Sequence, residues 1–285
     1  MRFMPPNPSE FDPAAAALCV NRQYELVKFL GDGTFKRAYL IKVGGQFAAL
    51  KLALKSFGGE RLQRETFALK DCDHPNVVKI QDAFDFPHGG QDFWVIIEEF
   101  LDGGTLATRR SNAPVAGPDI RHIGQRLADV LAHFYPRKIV HRDIKPENIL
   151  FKGAGIEPVL TDFGVARLLG ANSLTMDFAP VGPCTPAYAS PEQLNNDKAL
   201  IDWRTDQFGL ALVLSECLLG YHAYQQPGMS LDDAIRSVAA RAPLPVPTTH
   251  SLASLGFGGL SRALEPWPVA RYRLPADFCH ALTLT

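Results

Sequence analysis

The sequence of 285 residues has no CxxC pair, no long apolar run and no excess of charge of either sign. Its five cysteines, Cys19, Cys72, Cys184, Cys217 and Cys279, are odd in number and far apart. That argues against a disulfide framework or a zinc knuckle and fits a reducing compartment. The longest apolar stretch, 208–220, is broken by Ser215 and Glu216. It falls well short of the ~20 residues a membrane span needs, so it is expected as a buried helix. The N-terminus, MRFMPPNPSEF, has no apolar segment leading to a small-residue cleavage site, so no signal peptide is expected. With 29 basic and 30 acidic side chains the net charge is −1. A nucleic-acid or membrane binder driven by bulk positive charge is disfavoured, although a local basic cleft stays open. Apolar residues at 46% and charged residues at 21% suit a folded chain with an ordinary core. A cytoplasmic location is expected.

Residues 1–21, with PPNP and DPAAAA, are expected as a Pro/Ala-rich arm. From Tyr24 to Ala53, short β-type runs alternate with glycine turns, and Gly44-Gly45 is a two-residue hairpin signal. A helix is predicted over 59–71, with Leu62, Phe67 and Leu69 on its apolar face, followed by strands in VVKIQDAF and FWVIIEEF. After the turn at 101–104 the pattern changes. Ile120, Ile123, Leu127, Val130, Leu131 and Phe134 recur at the helical period, and the remainder is largely helical with proline-rich loops. A β-rich piece followed by a helical piece predicts an α+β unit of two lobes, with a ligand in the cleft between them.

The strongest motif is HRDIKPEN at 141–148, with DFG at 162–164 fourteen residues beyond Asn148. Phosphoryl transfer from a metal-bound nucleoside triphosphate needs a carboxylate to orient the attacking hydroxyl, a lysine near the transferring group and oxygen ligands for Mg²⁺. Asp143, Lys145, and the pair Asn148 and Asp162 supply these in order. One such residue could belong to any capped loop; the whole string at this spacing is specific. Gly31-Asp32-Gly33-Thr34-Phe35 is a weaker signal, a glycine turn between two β runs that would let backbone N–H groups approach phosphate. Lys36 stands where a third glycine would complete G-x-G-x-x-G. Lys51 ends the β run AALK, and Glu65 is the helix carboxylate expected to hold it, with Glu60 as the alternative.

From Tyr24 to Arg271 the sequence resembles the eukaryotic-type protein kinase family, with its glycine-rich loop, strand lysine, HRD loop and DFG in order. The resemblance implies a bilobal kinase fold: a β-rich N-lobe over about 22–100, a hinge at about 99–104 and a helical C-lobe over about 105–285. It implies ATP with Mg²⁺, or Mn²⁺ in its place, and a protein substrate carrying Ser or Thr. Asp143 would be the catalytic base, Lys51 would pair with the α/β-phosphates and Glu65, and Asn148 and Asp162 would hold metal. Glu99 and Leu101 would offer backbone groups to adenine, and residues from Gly31 to Ala38 with Ala49 and Leu150 would sandwich the ring.

CTPAYASPE at 184–192 resembles the G-T-x-x-Y-x-A-P-E segment, with Cys184 for Gly and Ser190 for Ala. There Glu192 would bridge Arg271, and Asp206 would brace the HRD loop. Lys145 with Thr185 resembles the Ser/Thr class. Arg142 implies a phosphate acceptor in the activation loop, at Ser173 or Thr175. Glu98 falls at the gatekeeper position behind adenine, where a carboxylate needs a hydrogen-bonding neighbour. The rival readings are a pseudokinase scaffold, which would lack Lys51, Asp143 or Asp162, and a small-molecule kinase, which would lack TPAYASPE. The chain is expected as a free kinase or as the catalytic piece of a larger protein.

Overall fold

Five strands form one antiparallel sheet in the order β1-β2-β3-β5-β4. The strands are β1 (Glu25–Asp32), β2 (Lys36–Val43), β3 (Gln46–Leu54), β4 (Ile80–His88) and β5 (Gln91–Glu99). This is a computed structural model that describes residues 8–32, 36–57, 63, 66, 70, 72–112, 115–163, 167–168 and 185–283. The chain divides into two compact units, Met1–Asp73 with Val78–Phe100, and His74–Val77 with Leu101–Thr285. Gly44 and Gly45, at φ +58° and +83°, make the β2–β3 turn, a left-handed pair that glycine adopts without steric cost.

Register sorts the side chains of the sheet unit. Lys51 lies opposite Ile96 on β5 and Ala38 on β2, and Ala49 opposite Glu98, so these side chains share one face. The other face carries Tyr39, Ile41, Leu50, Leu52, Val95 and Ile97 in a single core cluster. Ala14, Ala15, Leu18 and Cys19 belong to the same cluster. Residues expected as a proline-rich arm are therefore, over Pro8–Arg22, a helix (α1) that belongs to the sheet's core. Pro13 removes one helical N–H. The i, i+1, i+4, i+5 stripe offsets that loss by burial, at about 1.5–3 kcal/mol for a residue such as Leu18. Asp12 of α1 accepts hydrogen bonds from the Tyr39 hydroxyl at 2.6 Å and from Arg37 Nη1 at 2.8 Å. Within the stretch predicted helical, Gln63, Thr66 and Lys70 are helical, and Thr66 Oγ1 accepts from Trp94 Nε1 at 3.2 Å.

The second unit is helical: α2 (Leu106–Asn112), α3 (Gly117–Phe134), α4 (Pro191–Leu194), α5 (Trp203–Leu219), α6 (Leu231–Ala239), α7 (Val246–Ser254), α8 (Gly259–Ala263) and α9 (Pro275–Ala281). On α3 the buried residues include all six predicted from periodicity, and Gly124 adds room for Leu214 of α5. Helix α5 is buried nearly all round, starts on an Asp202 cap and stops at Gly220 in the left-handed conformation. It is the helix expected from the 208–220 run. His74–Val77 joins this unit because Asn76 Nδ2 donates to Pro158 O at 2.7 Å and Leu160 N donates to Asn76 O at 2.8 Å. Two short antiparallel pairs, β6 (Ile139–Val140) with β9 (Arg167–Leu168) and β7 (Ile149–Phe151) with β8 (Pro158–Leu160), frame the motif loops. Among the described residues no helix is long and apolar enough to cross a membrane.

Candidate active site

β6 delivers His141 into the helical unit's core, and the loop turns there because Arg142 sits in the left-handed region at φ +69°. Such a backbone costs about 1–3 kcal/mol and persists only where the surrounding structure over-determines it. Asp206 of α5 supplies the constraint, accepting from His141 N at 2.6 Å and Arg142 N at 2.7 Å. Burial pushes the Asp206 carboxyl up to about 7 even against those two amide donors. Gln193 adds a third tie, which sequence reasoning did not find, donating to Arg142 O at 2.7 Å. His141 Nε2 faces Thr161 O at 2.9 Å, and Asp143 N lies 3.3 Å from its Nδ1, so the ring is held between two backbone groups.

Those ties hold Asp143 at the centre of a polar cluster. Lys145 Nζ lies 2.9 Å from Asp143 Oδ2 and donates to Thr185 Oγ1 at 2.8 Å. Thr185 donates to Asp143 Oδ1 through both its amide, at 3.1 Å, and its hydroxyl, at 2.8 Å. Burial alone would raise the Asp143 carboxyl, but Lys145 and Thr185 hold it below the usual carboxylate range. Asp143 is therefore an ionised acceptor at neutral pH, as a base for a hydroxyl proton must be. The 3₁₀ turn Pro146–Asn148 brings Asn148 beneath it, where Nδ2 donates to Asp143 O at 2.8 Å and Oδ2 at 3.1 Å.

With Nδ2 committed, Oδ1 is the end of the Asn148 amide that a cation would meet. Thr161 N donates to Asn148 O at 2.9 Å, which brings Asp162, left-handed at φ +69°, close to Asn148 in the chain's path. An amide oxygen and a carboxylate are the donors a hard Mg²⁺ ion prefers, so the residues fit the metal that the sequence implied. In the same unit, Gly103 N donates to Phe151 O and Phe151 N to Gly104 O, which fixes the segment after Leu101 against Leu150 and its neighbours on β7. Leu101 is buried and Leu150 half-buried.

The sheet unit holds the remaining predicted residues. Ala38, Ala49 and Lys51 share a face, and Lys51 Nζ meets Glu98 Oε2 at 2.7 Å. The Glu98 carboxylate, expected at the gatekeeper position, thus has Lys51 as a partner. Gly33, Thr34, Phe35 and Glu65 lie outside the described residues, as do Cys184, Ser173 and Thr175. Gly31 pairs with Ala38, and Asp32 with Arg37, whose Nε donates to Asp32 Oδ1 at 2.5 Å. Glu99 donates its amide to Lys79 O at 3.0 Å.

Two supports around the TPAYASPE segment complete the picture. Arg271 and Glu192, both fully buried, form a two-pronged bridge at 2.8 and 3.0 Å. Tyr188 donates to Glu216 Oε2 at 2.6 Å, and Arg110 lies 2.7 Å from the same oxygen. Nothing in the sequence singled out Arg110 or Glu216, because their pairing joins α2 to α5 across long separations.

Comparison with known proteins places this geometry. The chain matches the protein kinase domain family over residues 24–253. It is 32% identical over 207 residues to "Probable serine/threonine-protein kinase PknB" of Lactococcus lactis, covering 70% of this chain and 32% of the relative. It is 30% identical over 209 residues to serine/threonine-protein kinase PrkC of Bacillus subtilis, covering 70% and 31%. It is 32% identical over 214 residues to human serine/threonine-protein kinase Nek5, covering 71% and 29%. The chain thus spans about a third of the length of these curated relatives. With the HRD loop, DFG and a sheet lysine all in place within that match, the chain belongs to the protein kinase domain family.

Proposed function

We propose that the protein is a serine/threonine kinase that transfers the γ-phosphoryl group of ATP to Ser or Thr hydroxyls of protein substrates. The observation that carries this reading is the ionised Asp143 held by Lys145, Thr185 and Asn148. Asp143 orients the attacking hydroxyl and accepts its proton as the new O–P bond forms and the bond to the leaving β-phosphate oxygen breaks. Lys145 neutralises charge growing on the transferring group, and Thr185 ties the substrate-positioning segment to the base. Lys51 contacts the α/β-phosphates, Ala38, Ala49 and Leu150 flank adenine, and Glu99 and Leu101 present backbone to its edge. Gly31 to Phe35 cover the phosphates. Asn148 and Asp162 hold Mg²⁺, which supplies charge neutralisation on the phosphates when bound.

The names of the bacterial and human relatives support the Ser/Thr class. Lys51, Asp143 and Asp162 are all retained, so the sequence loss that would mark a pseudokinase is missing. Ser173 or Thr175 in the activation loop receives an autophosphorylation that Arg142 grips as a new charge of about −1.5 to −2. The test is incorporation of labelled phosphate from ATP and Mg²⁺ into a generic protein substrate and into the chain itself. Transfer by the parent and loss in Asp143→Ala is expected. Equal incorporation in the two, or none in the parent, would overturn the proposal.

A further inference from the structure

A lysine that meets phosphates needs a carboxylate to orient it, because its ammonium rides on four rotatable bonds and has three N–H donors. The expected source of that carboxylate is a helix residue. Within the sheet itself another is already in contact. Lys51 stands in the middle of β3, and the residue directly across on β5 is the apolar Ile96. Glu98 is the diagonal neighbour on the same face, and cross-strand diagonals lie within reach of long side chains. Lys51 Nζ and Glu98 Oε2 are 2.7 Å apart, with side chains only 13% and 8% exposed. The β3–β5 ladder runs from Ala48↔Glu99 to Leu54↔Phe93 without a bulge, so the separation of the two Cα atoms is fixed by backbone hydrogen bonds. A charge this deep in the fold is costly unless paired, which keeps the two groups together.

We infer that Glu98 is a positioning residue for phosphoryl transfer, holding the Lys51 ammonium towards the nucleotide phosphates from one strand away. This rests on the kinase reading of the previous section. The sheet, rather than the placement of a separate helix, then sets the lysine's orientation. Three N–H donors leave Lys51 able to serve Glu98 and the phosphates together, and Glu65 as well.

Two measurements test this. The first is steady-state kinetics on the parent, Glu98→Gln, Glu98→Asp, Lys51→Met and Lys51→Met/Glu98→Gln, with Asp143→Ala as the blank. Loss of lysine orientation should lower kcat/KM for ATP in Glu98→Gln by ~10- to 100-fold. Glu98→Asp should recover part of the loss. In the Lys51→Met background Glu98→Gln should change nothing beyond about twofold, since a residue acting through Lys51 has no target left. The second is a thermal-melt cycle with Lys51→Met, Glu98→Met and the double variant, which needs no activity. Each single change should lower Tm and the double should recover much of it. Glu98→Gln within about twofold of the parent, an equal further loss in the Lys51→Met background, or additive melts would each overturn the inference. Absence of Asp143-dependent transfer in the parent would instead fail the kinase reading, and the proposal with it, whatever the melts show.

Discussion

Removing Arg271 should unfold the helical unit more readily than any surface change in the chain. Its guanidinium makes a two-pronged bridge to Glu192 and donates to the carbonyls of Glu265 at 2.8 Å, Arg204 at 2.9 Å and Pro266 at 3.2 Å. It also lies over the Phe208 ring at 4.6 Å. In Arg271→Met the Glu192 carboxylate keeps only Thr205 Oγ1, at 2.9 Å, among its side-chain donors described, and stays buried. Breaking a buried pair from one side costs about 3–5 kcal/mol, against about 0.2–1 kcal/mol for an exposed pair. That is a large share of a typical total of about 5–15 kcal/mol. With a urea slope of about 1–3 kcal/mol per molar, the midpoint should fall by at least about 1 M. The assay is urea unfolding by fluorescence in a Trp94→Phe background, where Trp203 and Trp267 report the helical unit alone. Glu192→Met/Arg271→Met should recover much of the loss, because an apolar pair leaves no buried charge. A loss below about 1 kcal/mol in Arg271→Met would refute the reasoning, since that is the range of an exposed pair.

Asp143 has a depressed pKa, so its ion pair stabilises the fold above the unfolded carboxylate value and is lost as pH falls through the folded one; kcat should show no acid limb from this residue at or above the ordinary carboxylate range. In Lys145→Met the burial contribution remains without its counter-charge, and the acid limb of the pH–rate profile should move up. Leu18→Ala on α1 should cost about 2–5 kcal/mol in chemical unfolding, as for a core leucine; a solvated arm would give nothing measurable. Gly103→Ala should destabilise by at least about 1–3 kcal/mol by thermal melt, because its Cβ would stand 2.2 Å from Gly153 O and 2.7 Å from Phe151 O, both backbone atoms.

Much of the site was readable because its groups are near one another in sequence. Asp143, Lys145 and Asn148 fall within one loop and turn, so their spacing alone brings them together. The strands and the buried face of α3 were legible for a similar reason, since periods of two and 3.6 residues are local properties. The sequence by itself thus pointed to the chemistry proposed for the chain, the order of most of its elements and the residue proposed as its catalytic base.

Only the tertiary structure decided which distant groups meet. It assigned Glu98 to Lys51, because diagonal contacts depend on strand register, and register is set by the whole sheet rather than by either strand. It brought Thr185 to Asp143 across 42 residues. It turned a proline-rich stretch into a core helix, since the apolar stripe of α1 gains nothing until Leu50, Leu52 and Val95 stand ready to cover it. It also moved His74–Val77 into the helical unit, through hydrogen bonds to Pro158 and Leu160 that no local pattern announces. Such pairings form only after chain closure over long loops, and their partners are chosen by packing rather than by spacing.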